Sequence, residues 1–202
     1  MTKTIVRLLT AGIIGASLLS ACASGPALVP AGKFTAGGPA SLTLDRNWSD
    51  VSKLFYIKAP KVRILSIDGI LLNRLYVSDG LGPNDPLMVG PQHADTANDP
   101  APRGKADMSL SEQMEFVAAS VTALDYQKVT TLDPHPVTVG DSKGVRFEFT
   151  ARTSDGLDMH GLAQAVSKGG LSYYIVYIAP QEHYYAASLA NATAAMDSVK
   201  LP

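Results

Sequence analysis

The chain has 202 residues, with 17 Lys and Arg against 18 Asp and Glu, for a net charge of −1. That near-neutral balance, without basic clusters, argues against a nucleic-acid partner and against an electrostatic membrane patch. Its one cysteine, Cys22, excludes a disulfide within the chain, and a domain of this size buries about 70% of its unfolded surface without needing one.

Lys3 and Arg7 are followed by "LLTAGIIGASLLSA", an apolar run that ends in small residues. A basic start, a short apolar stretch and small residues make a secretory signal. A bilayer-spanning helix needs about 20 apolar residues, more than this run supplies. Residues 1–21 are therefore expected to be a signal peptide. The sequence Leu19-Ser20-Ala21-Cys22 resembles the lipobox of bacterial lipoproteins. The resemblance implies that Cys22 carries a diacylglyceryl thioether and becomes the acylated first residue, with palmitate-type chains in the bilayer. Ala23 and Ser24 follow in place of Asp, which in that family favours the outer membrane, facing the periplasm. The competing reading is an ordinary signal cut after Ala23, which discards Cys22. Without Lys3 and Arg7 the remainder holds 15 basic and 18 acidic residues, a net charge of −3.

Residues 22–41 are rich in Gly, Pro and Ala and read as a flexible tether, leaving 42–202 as a single α+β domain. Strand patterns follow at 41–44, 53–58, 61–67 and 70–78, rich in β-branched and large apolar residues. Residues 82–107 form a long irregular segment with five prolines, a length usually reserved for functional or disordered loops. Ser109 and Glu112 make a capping box, and Leu110, Met114, Val117, Val121 and Leu124 recur at helical spacing. The stretches "YQKVTTL" and "PVTVG" read as two strands ahead of "VRFEFTAR", where Val145, Phe147, Phe149 and Ala151 alternate with Arg146, Glu148, Thr150 and Arg152. The polar set reads as a charged outer face. Gly-containing turns then link "LDMHGLAQAVS" to "LSYYIVYIA" as antiparallel hairpins. Pro180 is expected at the first position of a final helix, with Tyr185, Leu189, Ala192, Met196 and Val199 as its apolar stripe.

A sheet of hairpins packed against two amphipathic helices is an α+β sandwich. The order "GVRFEFTA … GLAQAVSKGGLSYYIVYIAP … AMDSVKL" resembles the carboxy-terminal half of the Mog1/PsbP-like fold. "W", "DGILLNRLYVSDGL" and "ADMSLSEQMEF" resemble uncharacterised proteobacterial lipoproteins. The first resemblance implies a binding or assembly role more than catalysis.

Several motifs compete with that reading. Gly140-Asp141-Ser142-Lys143-Gly144 matches the nucleophile elbow G-x-S-x-G, which would make a small hydrolase with Ser142 as nucleophile. The elbow needs a strand followed by a helix, whereas here a period-two strand follows, so the segment reads as a turn. His93, His135, His160 and His183 show no paired metal spacing. Asp158 and His160 share a strand face, but two ligands make no site. Tyr173, Tyr174, Tyr177, Tyr184 and Tyr185 cluster where the last strand meets the last helix. They read as sheet–helix packing or, alternatively, as a groove for a small apolar ligand. No phosphate loop or cofactor fingerprint is present. The expectation is a membrane-anchored, non-catalytic lipoprotein with a binding or envelope-support role and an envelope protein as possible partner. Small serine hydrolase and apolar-ligand carrier are the alternatives.

Overall fold

Val145, Phe147, Phe149 and Ala151 are all buried on one face of their strand, because side chains two apart share a face of a pleated sheet. The same alternation organises the whole molecule. The computed structural model describes residues 25–55, 59–90 and 101–202. Its strands in chain order are β1 (Ala27–Val29), β2 (Gly32–Phe34), β3 (Leu42–Leu44), β4 (Trp48–Asp50), β5 (Val62–Ser66) and β6 (Arg74–Ser78). Helix α1 (Leu110–Thr122) comes next, followed by β7 (Gln127–Val139), β8 (Ser142–Arg152), β9 (Asp158–Lys168), β10 (Leu171–Pro180) and α2 (Tyr184–Asp197).

Eight strands form one antiparallel sheet in the order β1-β4-β5-β6-β10-β9-β8-β7, and β2 and β3 form a separate hairpin. One face carries α1 with Tyr76, Phe147, Phe149, Tyr174 and Val176. The other carries α2 and the β2–β3 hairpin, with Trp48, Leu65, Leu75 and Tyr177. The expected α+β sandwich is therefore present, and its two helices lie on opposite faces of the sheet.

The capping box of α1 is formed. The Glu112 amide donates to Ser109 Oγ at 3.2 Å, and the Ser109 amide donates to Glu112 Oε2 at 2.8 Å. The helix is rotated from its expected stripe: Val117 and Val121 are buried together with Gln113, Phe116 and Ser120, while Leu110 is exposed. Gln113 turns inward because its amide has partners there, donating to Met108 O and to Ser167 Oγ on β9. In α2, Tyr185, Ala192 and Met196 are buried, and Leu189 and Val199 pack against the same core.

Pro180 is the last residue of β10, opposite Met159, and does not open α2. The pairing of β10 with β6 ends at Ile178, so a proline at 180 has no neighbour on that side to which it fails to donate. The helix starts after His183, whose φ of 64° turns the chain. The two strands expected at 126–140 are one long β7, with register shifts at Gln127/Thr130 and Leu132/His135. Bulges and prolines on this outermost strand blunt it against pairing with another chain. Of the strand expected at 53–58, Ser52–Leu54 form a 3-10 turn, and residues 56–58 lie outside the described set. Residues 70–73 belong to a turn, in which buried Asn73 accepts from the Ile67 amide at 2.8 Å and donates to Asp68 at 2.6 Å.

The expected tether is shorter than its composition suggests. Ala27–Val29 add a strand to the sheet edge against β4, and Val29, Phe34 and Ala36 join the α2-side core. The driving force is burial of these few apolar side chains between the glycines and prolines, which a composition average conceals.

Candidate functional site

A cavity walled in part by apolar side chains lies on the α1 side, where β5 and β6 meet the segment after β6. Alternation along β5 places Val62 and Ile64 on that face, and β6 places Tyr76 beside them. The roof is the segment 82–90, whose Leu87 and Met88 are fully buried. This roof is pinned by Asp85, which accepts from the Gly82 amide at 2.8 Å and from Lys61 Nζ at 2.7 Å. One wall is the 3-10 turn. There Ser52 Oγ accepts from the Ile64 amide at 2.8 Å, and the Ser52 amide donates to Asp50 at 2.9 Å. Together with Leu124 these residues enclose a cavity of about 230 Å³.

Beneath the cavity lies a buried polar cluster on β6, and one lysine stands at its rim. Tyr76 is 2% exposed, and its hydroxyl has no well-formed hydrogen bond among the described residues. Burial pushes its phenol above the ordinary range, and the Arg74 guanidinium opposes part of that rise. Arg74 lies 6.0 Å from the Tyr76 ring centroid and 5.7 Å from that of Tyr126, and it donates to the Tyr126 hydroxyl. Such a cation over aromatic faces is held by the ring quadrupoles. Exposed Lys53 stands at the rim, whereas the Arg63 guanidinium turns to the α2 side, donating to Ala36 O at 3.4 Å and lying 3.5 Å from Asp50. The chain enters the domain nearby: Ala27 lies opposite Asp50 in an antiparallel pair, so Pro26 and Gly25 head toward Val51 and Ser52.

The residues singled out from sequence fall elsewhere. Ser142 follows a two-residue turn at Gly140-Asp141, where Gly140 has a φ of 61°. Its hydroxyl donates to Asp141 at 3.3 Å, and Asp141 pairs with Lys168 at 3.0 Å. His160 sits opposite Thr150, eight residues along β8 from Ser142, about 26 Å at the rise of a strand. The strand–turn–strand setting lacks the helix that a nucleophile elbow uses.

Asp158 and His160 also go to different partners. Asp158 lies 3.4 Å from Arg152, and His160 Nε2 lies 2.8 Å from Glu148 Oε2 without the alignment of a good hydrogen bond. The His160 ring stacks on Tyr185 at 4.2 Å, and Tyr185 stacks on Tyr177 at 5.7 Å. The Tyr177 hydroxyl donates to Tyr184 O at 2.9 Å. This column fastens the start of α2 to the sheet. Among the described residues, no group of three or more His, Cys, Asp or Glu is placed to hold a metal ion.

The tyrosines divide between the faces, with Tyr174 packed edge-on against Phe116 at 5.5 Å on the α1 side. The polar face of β8 is not the solvated surface its charges suggest. Arg146, with 14% of its side chain exposed, donates to Gln164 Oε1 at 2.6 Å and to Asp197 at 2.6 Å under the end of α2. A cation there also opposes the negative end of the helix dipole. His135 and His183 are exposed, and His93 and Cys22 lie outside the described residues. Sequence reasoning named only Leu124 of the cavity residues, and that as a core position of a helix, since the lining comes from segments separated in the chain that share no motif. Of the segment 82–107, read from sequence as functional or disordered, residues 82–90 supply the roof, and 91–100 lie outside the described residues.

No protein-family model matches the chain, and no curated protein matches it in sequence. Among solved structures, it is similar to cyanobacterial PsbP from Synechocystis sp. PCC 6803, with a TM-score of 0.55 and 11% identity over 90% of this chain and 96% of that one. It is also similar to the Saccharomyces cerevisiae Ran-binding protein Mog1p, with a TM-score of 0.51 and 12% identity over 88% of this chain and 96% of that one. The architecture of this chain is the Mog1/PsbP-like fold.

Proposed function

We propose that this chain is a lipid-anchored protein of the cell envelope that binds rather than transforms its ligand, held through acylated Cys22 at the outer membrane and facing the periplasm. The observation that carries the binding role is the concave cavity of about 230 Å³ walled in part by Val62, Ile64, Leu87 and Met88, since pockets for small ligands are concave and partly lined by apolar side chains. The turn geometry around Ser142 favours binding over hydrolysis. One neighbour in fold, Mog1p, is a Ran-binding protein, which is consistent with a protein-binding role on the same scaffold.

The anchor rests on the lipobox-like Leu19-Ser20-Ala21-Cys22. With β1 beginning at Ala27, the link from Cys22 spans at most about 17 Å when extended. An acylated Cys22 would thus hold the β1 edge close to the headgroups, with Leu28, 70% exposed, beside the bilayer. Metabolic labelling with a fatty-acid analogue tests this: wild-type protein takes the label and Cys22→Ala does not. Equal labelling of both would end the anchor reading. An envelope protein partner is the second role, favoured by the roof segment lying at the surface near that edge. A photo-crosslinker at Lys53 in intact cells should capture one such protein, and a signal no higher than that from the exposed Lys143 position would remove that role.

A further inference from the structure

The two edges of the eight-stranded sheet are finished differently. At one edge, β7 carries exposed Lys128, Asp133 and His135 together with Pro134, Pro136 and two register shifts. Those are the guards of a strand that faces water. At the other edge, around β1, the charges are missing. From Gly25 to Gly32 no side chain is charged or can hydrogen-bond, and Pro26, Ala27, Leu28, Pro30 and Ala31 are exposed, Leu28 at 70%. Val29 joins the α2-side core, so alternation turns Leu28 to the other face. Helix α1 packs on β7, β8 and β9, across the sheet from β1. Leu54, 43% exposed, stands in the turn that follows β4, at the end where Asp50 faces Ala27.

A contiguous exposed apolar strip of this kind marks a contact surface, and two kinds of occupant fit a sheet edge: a further strand or a lipid surface. A strand needs amides to bond. Pro26 and Pro30 have none, the Ala31 amide donates to Asn47 at 3.0 Å, and β4 shares the three that remain. The edge is therefore apolar without being a template for pairing. A lipid surface needs only apolar side chains held close to it, and the link from Cys22 to Ala27 spans at most about 17 Å.

We propose that the β1 edge, Pro26–Ala31, rests in the headgroup layer of a phospholipid bilayer, with the Leu28 side chain at the acyl boundary. This deepens the anchor reading above and rests on it. Open backbone is not tolerated in hydrocarbon, so the contact is shallow and only side chains pass the headgroups. The acidic group beside this edge, Asp50, lies on the α2 side with Arg63 at 3.5 Å and does not set a bare charge against lipid phosphate. Acyl chains alone leave the domain free to tumble on its link, whereas this second contact fixes its tilt.

The test uses the processed chain, acylated at Cys22, in vesicles of phosphatidylethanolamine and phosphatidylglycerol. Nitroxides are placed in turn at Leu28→Cys and at Leu132→Cys, the latter an exposed leucine on β7 at the opposite edge. The thioether of acylated Cys22 does not take the label. Power saturation should show the Leu28 label colliding more with oxygen than with a nickel chelate, and the Leu132 label the reverse. A label at Ala31→Cys should shift from oxygen toward nickel when Leu28→Asp is added, a change at an exposed side chain that leaves the core intact. Equal ratios at Leu28 and Leu132 overturn the proposal, as does an Ala31 label indifferent to Leu28→Asp. Spin–spin broadening between Leu28 labels on different copies, persisting on dilution with lipid, overturns it in favour of a second copy at this edge. A mass spectrum of the same sample separates the two readings. With Cys22 acylated, those results leave the anchor standing, whereas an unmodified or missing Cys22 removes both.

Discussion

On the α2 side of the sheet, Ala192 and Ala195 are fully buried against it, and the crevice left beneath the β2–β3 hairpin holds about 20 Å³. On the α1 side, Phe116, Val117 and Val121 stand on the sheet at one end, while the other end is roofed by the segment 82–90 over about 230 Å³. Small residues let a helix approach a sheet until nothing remains between them. Large side chains held apart by a helix and an irregular roof leave space at the seam. One face of this molecule is therefore closed, and the other keeps an open cavity.

Four expectations break or sharpen that contrast. The largest concerns the centre of the α1 face, where Phe149 lies over Gly161 so closely that a Cβ there would meet its ring at 2.1 Å. Phe149→Ala should cost about 3–5 kcal/mol by urea unfolding. A cost below about 1 kcal/mol, the scale of surface changes, would mean that the α1 core is loosely packed throughout and not only at its seam.

Overpacking should then separate the faces. Ala195→Leu has no room and should cost about 1–3 kcal/mol, whereas Met88→Phe beside the cavity should cost less than about 1 kcal/mol, as volume changes do when space is already there. Equal costs in parallel thermal melts would erase the distinction drawn between the two faces.

The polar network under α2 comes third. Arg146→Ala leaves Gln164 Oε1 without its donor and should cost about 1–2 kcal/mol. Asp197→Ala removes only the exposed end of the ion pair and should cost about 0–1 kcal/mol. If the Asp197 variant proved the weaker of the two, the network would owe its effect to the surface charge and not to the buried amide.

The smallest effect is read by pH. Burial pushes Tyr174 and Tyr177, one on each face, up to about 12. Because the folded value lies above the unfolded one, near 10, their neutral forms stabilise the fold fully below pH 10. That contribution declines as pH rises toward 12. Ultraviolet titration should show both phenols ionising late, and Tyr174→Phe and Tyr177→Phe should each flatten part of the alkaline loss of stability. Ionisation near pH 10 in the folded protein would show that water reaches these rings.

Much of the carboxy-terminal half was legible in the chain. Period two in "VRFEFTAR" identified β8 and its buried face, because alternation in a strand is local and strict. The Ser109–Glu112 box marked the start of α1, since capping involves residues three apart. Short-range signals failed where the deciding contact was distant. Leu110 lost its place in the apolar stripe to Gln113, whose partner Ser167 lies on β9. Pro180 ended a strand because β6 stops two residues earlier. Ala27–Phe34 joined the domain although its composition resembles a linker, because β4 and β3 were there to receive it.

The sequence by itself determined the sheet of hairpins, the two helices and the strand-like context of Ser142, all set by residues within a few positions of one another. Only the tertiary structure decided which face each helix covers, that Arg146 lies under α2, and that Ser52, Ile64, Tyr76 and Met88 surround one cavity. Those outcomes depend on the order in which eight strands pair, and pairing order is a competition among distant segments that leaves no periodic mark in the chain.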